Sequence, residues 1–119
     1  MVSLTATLFK AIINDSDLAA ATAEYIIDFA IGRINLYSHA DLPLMSGTVE
    51  SKTVSLESEE YAAVLVAARA IYHGFYKGIE NVNLGSMGVS SVDLESNQTV
   101  LNEIKTAARQ IAELDVGRG

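Results

Sequence analysis

The segment Asp17–Tyr37, with the sequence DLAAATAEYIIDFAIGRINLY, decides which fold the chain is expected to adopt. Its polar positions recur at spacings of three and four residues, which is the period of one face of an α-helix. These positions are Glu24, Asp28, Gly32 and Asn35. The rest of the circumference is mostly apolar, so this helix lies at the centre of the fold or is covered by another subunit. Because the domain is small, we favour a neighbouring subunit as the cover.

The composition bounds the class of protein. A chain of 119 residues is long enough for one domain with its own core. It has no cysteine, which excludes disulfides and thiolate metal ligands. Its formal net charge is -7, and a net acidic surface repels nucleic-acid phosphates, so a general DNA-binding protein is excluded. We expect cytoplasmic synthesis and no membrane association, because the start lacks a signal-peptide pattern and no apolar run approaches the roughly 20 residues of a spanning helix.

Two more long helices are predicted further along the chain. The first covers about Glu57–Lys77, is rich in alanine and carries acidic residues in its first turn. Ser55 or Ser58 can cap its N-terminus. The second covers about Asn97–Leu114, where apolar residues recur on one face at helical spacing and Asn97 is a suitable cap.

The remaining parts of the chain combine a short helix with two loops. The short helix is predicted at about Leu4–Ile12. The stretch Leu44–Leu56 contains many β-branched residues and is typical of an extended arm or of one strand of a hairpin. Residues 81–96 fit either a hairpin with a Gly-first turn over residues 82–89 or a glycine-loosened loop. Val92 and Leu94 would add one more short extended piece.

The segments together predict a mainly α fold. We expect a bundle of about four helices with a short extended arm and a possible β-hairpin in the loops. Residues 1–114 would form a single helical domain, and residues 115–119 a flexible C-terminal tail. The sequence contains no repeat and no low-complexity tract that would indicate a second domain.

No combination of residues predicts catalysis, a cofactor or a metal site. His39 and His73 lack the second ligand at helical spacing that a zinc or di-iron site requires. The chain has no G-x-S-x-G motif, and the glycine-containing residues 85–88 lack the lysine of a phosphate-binding loop. Glu24 and Asp28 lie one turn apart, and we interpret them as a solvated or interfacial polar stripe rather than as a catalytic carboxylate pair. We therefore expect that the protein is not an enzyme.

A basic and aromatic stripe predicts an interaction surface on the alanine-rich helix. Arg69, His73 and Lys77 recur every four residues, and Tyr72 and Tyr76 lie beside them. Arg and Tyr are enriched at the hot spots of protein interfaces, whereas basic groups interleaved with aromatics also bind nucleic acid. We favour a protein interface over a simple solvated face, and either of these over nucleic-acid contact.

The order of these segments resembles the head–tail adaptor proteins, also called connector or head-completion proteins, of tailed bacterial and archaeal viruses. The order is short helix, long apolar helix, extended arm, alanine-rich helix, glycine loop and C-terminal amphipathic helix. The resemblance covers nearly the whole chain and is architectural, without a sharp signature motif. The residues that carry it are Ala23–Ala30, Thr53–Tyr61, Ala62–Tyr72 and Val100–Leu114.

The resemblance implies a structural role without catalysis. Such adaptors assemble as a ring, commonly of twelve copies, beneath the portal protein of a DNA-filled capsid. The ring extends the channel and presents a surface to the next neck or tail protein, so the protein would reside in the virion at the capsid–tail junction. An acidic lumen would let DNA pass without specific binding. By position in the chain, residues 115–119 would dock on the portal through Arg118, and the arm Gly47–Leu56 would reach a neighbouring subunit or the next ring.

Two alternatives remain open at the level of the sequence. The first is a small helical protein-interaction module unrelated to viruses, and the second, less favoured, is a ligand-binding or enzymatic helical bundle with a polar pocket. The predicted subunit or partner interface consists of Glu24, Asp28, Val49, Lys52, Val54, Arg69, His73, Tyr76, Lys77, Asp115, Val116 and Arg118.

Overall fold

The computed structural model describes the backbone of residues 1–76 and 91–118, and their side chains except those of 91–93 and 115–118. The elements along the chain are β1 (Val2–Thr5), α1 (Ala6–Ile12), α2 (Ala20–Ser38), β2 (Thr53–Leu56), α3 (Ser58–Ile71), a π-helical turn (Tyr72–Tyr76), α4 (Ser91–Ser96) and α5 (Gln98–Arg118). The predicted mainly α fold is confirmed, and a small two-stranded antiparallel sheet accompanies the helices.

α2 forms the centre of the molecule and packs against α1, α3 and α5. Ile27, Ile31 and Ile34 are completely buried there, and burying one such side chain contributes roughly 1.5–3 kcal/mol. α3 supplies small buried residues, including Ala63 and Ala67, which permit close packing of the helices. The chain thus covers most of the apolar surface of α2 by itself. The expectation that a neighbouring subunit provides this cover is wrong.

The N-terminus begins as a strand, whereas the sequence predicted a helix from Leu4. β1 pairs antiparallel with β2, with Val2 opposite Leu56 and Leu4 opposite Val54. The helix starts only after Thr5, whose hydroxyl accepts a hydrogen bond from the backbone N–H three residues later at 3.2 Å. The prediction of extended structure in the arm is confirmed for β2, but its partner is the start of the same chain.

α3 begins with a cap that differs from the predicted serines. Glu57 occupies the capping position, and its backbone N–H donates to the carboxylate of Glu60 at 3.0 Å. Acidic side chains also suit the positive end of a helix. The α-helix ends at Ile71 and continues as the π-helical turn, while Lys77, its predicted end, lies outside the described residues.

The C-terminal part contains two helices. Ser91–Ser96 form α4, so the extended piece predicted at Val92 and Leu94 is wrong, and Leu94 is buried in the core. The hairpin predicted over residues 82–89 falls outside the part that the structure describes. The predicted cap of the last helix is confirmed, because the Asn97 side chain accepts from the backbone N–H of Val100 at 3.2 Å. α5 continues to Arg118, beyond the predicted end at Leu114.

Candidate interaction surfaces

The polar stripe of α2 faces a loop of the same chain. We call residues 42–52 the strap. Glu24 is only 3% exposed, and its two carboxylate oxygens accept hydrogen bonds from the backbone N–H groups of Glu50 and Lys52, each at 2.8 Å. Hydrogen bonds to an ionised acceptor are roughly twice as strong as neutral ones. Glu24 therefore anchors the far end of the strap.

Two other residues of the stripe bind the near end of the strap. The side-chain amide of Asn35 donates to the carbonyl of Leu42 at 3.0 Å and accepts from its N–H at 2.9 Å. Asp28 accepts from the N–H of Met45 at 2.9 Å. The contacts move toward the start of α2 as the strap proceeds, so the two segments run in opposite directions. The interpretation as a solvated or interfacial residue is wrong for Glu24, which is buried against its own chain. Asp28 is half-buried and binds the strap with one carboxylate oxygen.

The strap ends in a turn that exposes an apolar and a charged side chain. The N–H of Ser51 donates to the carbonyl of Thr48 at 2.8 Å and closes this turn. Val49 is 61% exposed and Glu50 is also exposed. The φ angle of Glu50 is 76°, in the left-handed region that residues other than glycine seldom adopt. We call residues 49–52 the tip. Its backbone is hydrogen-bonded to Glu24 and contains one residue in the left-handed conformation.

A groove of about 600 Å³ lies between the end of α3, the π-helical turn and the start of α5. Gly74 permits this close arrangement, because a Cβ atom there would overlap Cγ2 of Val100 and lie 3.1 Å from Nδ2 of Asn97. π-helical turns occur frequently at functional sites. Six lining residues define the chemistry of the groove: Val66, Arg69, Ala70 and His73 on one wall, and Val100 and Glu103 on the other.

The structure separates the predicted interface residues into exposed and buried ones. Arg69 and His73 are exposed and share the groove, and Val49 is exposed on the tip. Val54 and Tyr76 are each only 4% exposed, so their predicted place at an interface is wrong. Lys52 is half-buried in the tip. The remaining predicted residues lie outside the described set, entirely for Lys77 and in their side chains for Asp115, Val116 and Arg118.

Three residues that the sequence did not single out contribute to these surfaces. Leu44 is 54% exposed on the strap, Glu50 lies at the tip, and Glu103 lines the groove. A single exposed leucine or glutamate is common on any protein surface, so none of them carries a signal in the sequence. Only the geometry of the strap and the groove identifies them.

Neither a metal site nor a membrane-spanning helix is found among the described residues. Among them, no three histidine, aspartate or glutamate side chains converge as metal ligands would. Within the same parts of the chain, every helix is too short or too polar to cross a bilayer.

Tyr72 forms a partly buried hydrogen bond that links the π-helical turn to the loop before α2. Its hydroxyl donates to the carboxylate of Asp15. Burial, the hydrogen bond and the negative charge of Asp15 together raise the pKa of Tyr72 to about 12 from its usual value of 10.0. The folded state therefore favours the protonated phenol. The contribution of the protonated Tyr72 hydroxyl to the stability of the fold is complete below pH 10 and is lost as the pH rises toward 12.

We expect the free energy of unfolding to fall by on the order of 2 kcal/mol through this group as the pH rises from about 9 to about 12. Urea unfolding at a series of pH values would measure the fall. The Tyr72→Phe variant is the control, since it cannot titrate and should show a shallower pH dependence by that amount. Equal pH dependence in both proteins would contradict the assignment.

Comparisons with protein families, with curated proteins and with solved structures found no match to the chain. The resemblance to head–tail adaptors therefore rests on the order of the segments along the sequence.

Proposed function

We propose that the chain is a structural subunit of a virus particle, a head–tail adaptor that forms a ring of identical copies beneath the portal. In this role it extends the DNA channel and joins the capsid to the next neck or tail protein. The observation that carries the proposal is the strap: a loop fixed to α2 by three polar side chains that exposes apolar residues to solvent. Such a loop is suited to contact another protein subunit.

The order of elements supports the adaptor over other assembly proteins. A long apolar helix, an extended segment, an alanine-rich helix and a C-terminal amphipathic helix follow one another as in the family that the sequence resembles. In the structure these are α2, the strap with β2, α3 and α5. Because the chain itself covers most of the apolar surface of α2, this surface is no longer a reason to expect a ring. The exposed strap is the main physical reason.

The charge of the chain suits a channel for DNA. A formal net charge of -7 on each copy would give a ring a strongly negative field. DNA phosphates release few counterions at such a surface, so DNA would slide through without binding. A small non-viral interaction module is the alternative function, and it would use the same exposed strap with a different partner.

The proposal is tested by the native mass of the purified protein, measured over a range of concentrations. Electron microscopy of any large species completes the test. We expect closed rings, commonly of twelve chains of 12.7 kDa each. Closure is expected because repeated head-to-tail contacts give a ring when their rotation closes. A strict dimer at high concentration would contradict the ring and favour the interaction module. A protein that stays monomeric at millimolar concentration would also contradict self-assembly.

A further inference from the structure

We propose that the tip of one copy binds the groove between α3 and α5 of a second copy. This inference rests on the proposed self-assembly and names the contact that would produce it. The tip comprises residues 49–52, and none of these residues lines the groove. The contact is therefore head-to-tail, and a bound pair keeps one free tip and one free groove for further copies until a ring closes.

The apolar parts of the two surfaces match. Val49 is 61% exposed on the tip, and the α3 wall of the groove offers Val66, which is 37% exposed, and the half-buried Ala70. A volume of about 600 Å³ accommodates one aliphatic side chain together with its flanking backbone. Placing Val49 in the groove removes apolar surface of both copies from water, which favours association.

The charged residues of the two surfaces also match. The tip carries Glu50 within the turn and Lys52 directly after it, and the groove carries Arg69 on the α3 wall and Glu103 on the α5 wall. A tip inserted with Glu50 toward Arg69 brings Lys52 toward Glu103. Each charge then meets its opposite, and a reversed orientation brings like charges together. Complementary charges of this kind fix the register of an interface.

The tip is ordered before any partner binds. Glu24 holds the N–H groups of Glu50 and Lys52 at 2.8 Å, and Glu50 keeps a left-handed backbone with φ of 76°. Backbone strain in a non-glycine residue persists where surrounding contacts enforce it, and it concentrates at functional sites. A pre-ordered loop loses less conformational entropy when it binds, which strengthens the contact.

Because the chain has no cysteine, single-cysteine variants can test the contact directly. Val49→Cys protein is mixed with Ala70→Cys protein, and a short bis-maleimide links any pair that meets. We expect linked heterodimers to form at least tenfold faster than in a mixture of Val49→Cys with Ala62→Cys. Ala62 is the matched control, because it lies exposed on the same helix but outside the groove.

Charge reversal supplies the second measurement. The Glu50→Arg and Arg69→Glu variants should each weaken self-association roughly tenfold, because each brings like charges together. The double variant restores opposite charges and should recover most of the affinity, while circular dichroism verifies that all three remain folded. Linking at the control rate, or no recovery in the double variant, would overturn the proposed contact. If rings form but the linking and charge-reversal results are negative, the proposed contact is wrong and the adaptor function is unaffected. If tip-to-groove linking occurs in open chains without rings, the contact is supported and the ring is refuted.

Discussion

The Glu24→Ala variant is expected to lose about 3 kcal/mol of unfolding free energy. The substitution removes both acceptors for the N–H groups of Glu50 and Lys52. Hydrogen bonds to a charged group contribute about 1.5–3 kcal/mol each, and water recovers part of this at an exposed turn. The end of the strap should detach from α2 while the helical core stays folded. Urea unfolding measures the loss, and amide hydrogen exchange at Glu50 and Lys52 should accelerate more than exchange in α5.

Glu24→Gln is the matched control, since it keeps the size of the side chain and one of its two acceptor oxygens. The amide nitrogen is a donor and would face a backbone N–H, which is also a donor. We therefore expect the free energy of unfolding of the glutamine variant to lie between those of the wild type and the alanine variant. A glutamine variant as stable as the wild type would show that the carboxylate does not hold the strap. Unchanged exchange in the alanine variant would lead to the same conclusion.

The Gly74→Ala variant is expected to be destabilised by about 3 kcal/mol, at the upper end of the usual cost of overpacking. A methyl group at this position would overlap Cγ2 of Val100. Val100 is buried and branched at its Cβ atom, so it has few rotamers with which to move away. The π-helical turn and the start of α5 would have to separate. Thermal or urea unfolding gives the loss.

A double-variant cycle isolates that overlap. Val100→Ala alone should cost some stability, because it leaves a small cavity. If the overlap is the cause, Gly74→Ala should cost much less in the Val100→Ala background than in the wild type. Additive losses would point instead to an effect of the substitution on the turn itself. The result also bears on the groove, since Gly74 and Val100 both line it.

The long helices could be predicted because their signal is local and periodic. α2, α3 and α5 each repeat apolar residues at helical spacing, and Asn97 stands where its side chain reaches the first turn of α5. Their ends depend on contacts outside the helix itself. α3 ends before the predicted Lys77, at a π-helical turn in which Gly74 lies close to Val100, a residue distant in sequence.

The strand β1 and the role of the polar stripe on α2 could not be predicted, since both depend on residues distant in sequence. Residues 2–5 are too few to show a clear period, and β2 lies about fifty residues further along the chain. Glu24 and Asp28 are recognisable as polar positions on an apolar helix. Their partners, however, are backbone N–H groups, which every residue except proline possesses and which no sequence pattern reveals.

The way in which the strap is attached has a consequence for how such a protein can diverge. Glu24, Asp28 and Asn35 bind only main-chain atoms of the strap. Substitutions at outward positions such as Leu44 and Val49 leave those bonds in place. Mutations at these outward positions can therefore change which partner is bound, while the hydrogen bonds that fix the strap to α2 are inherited unchanged.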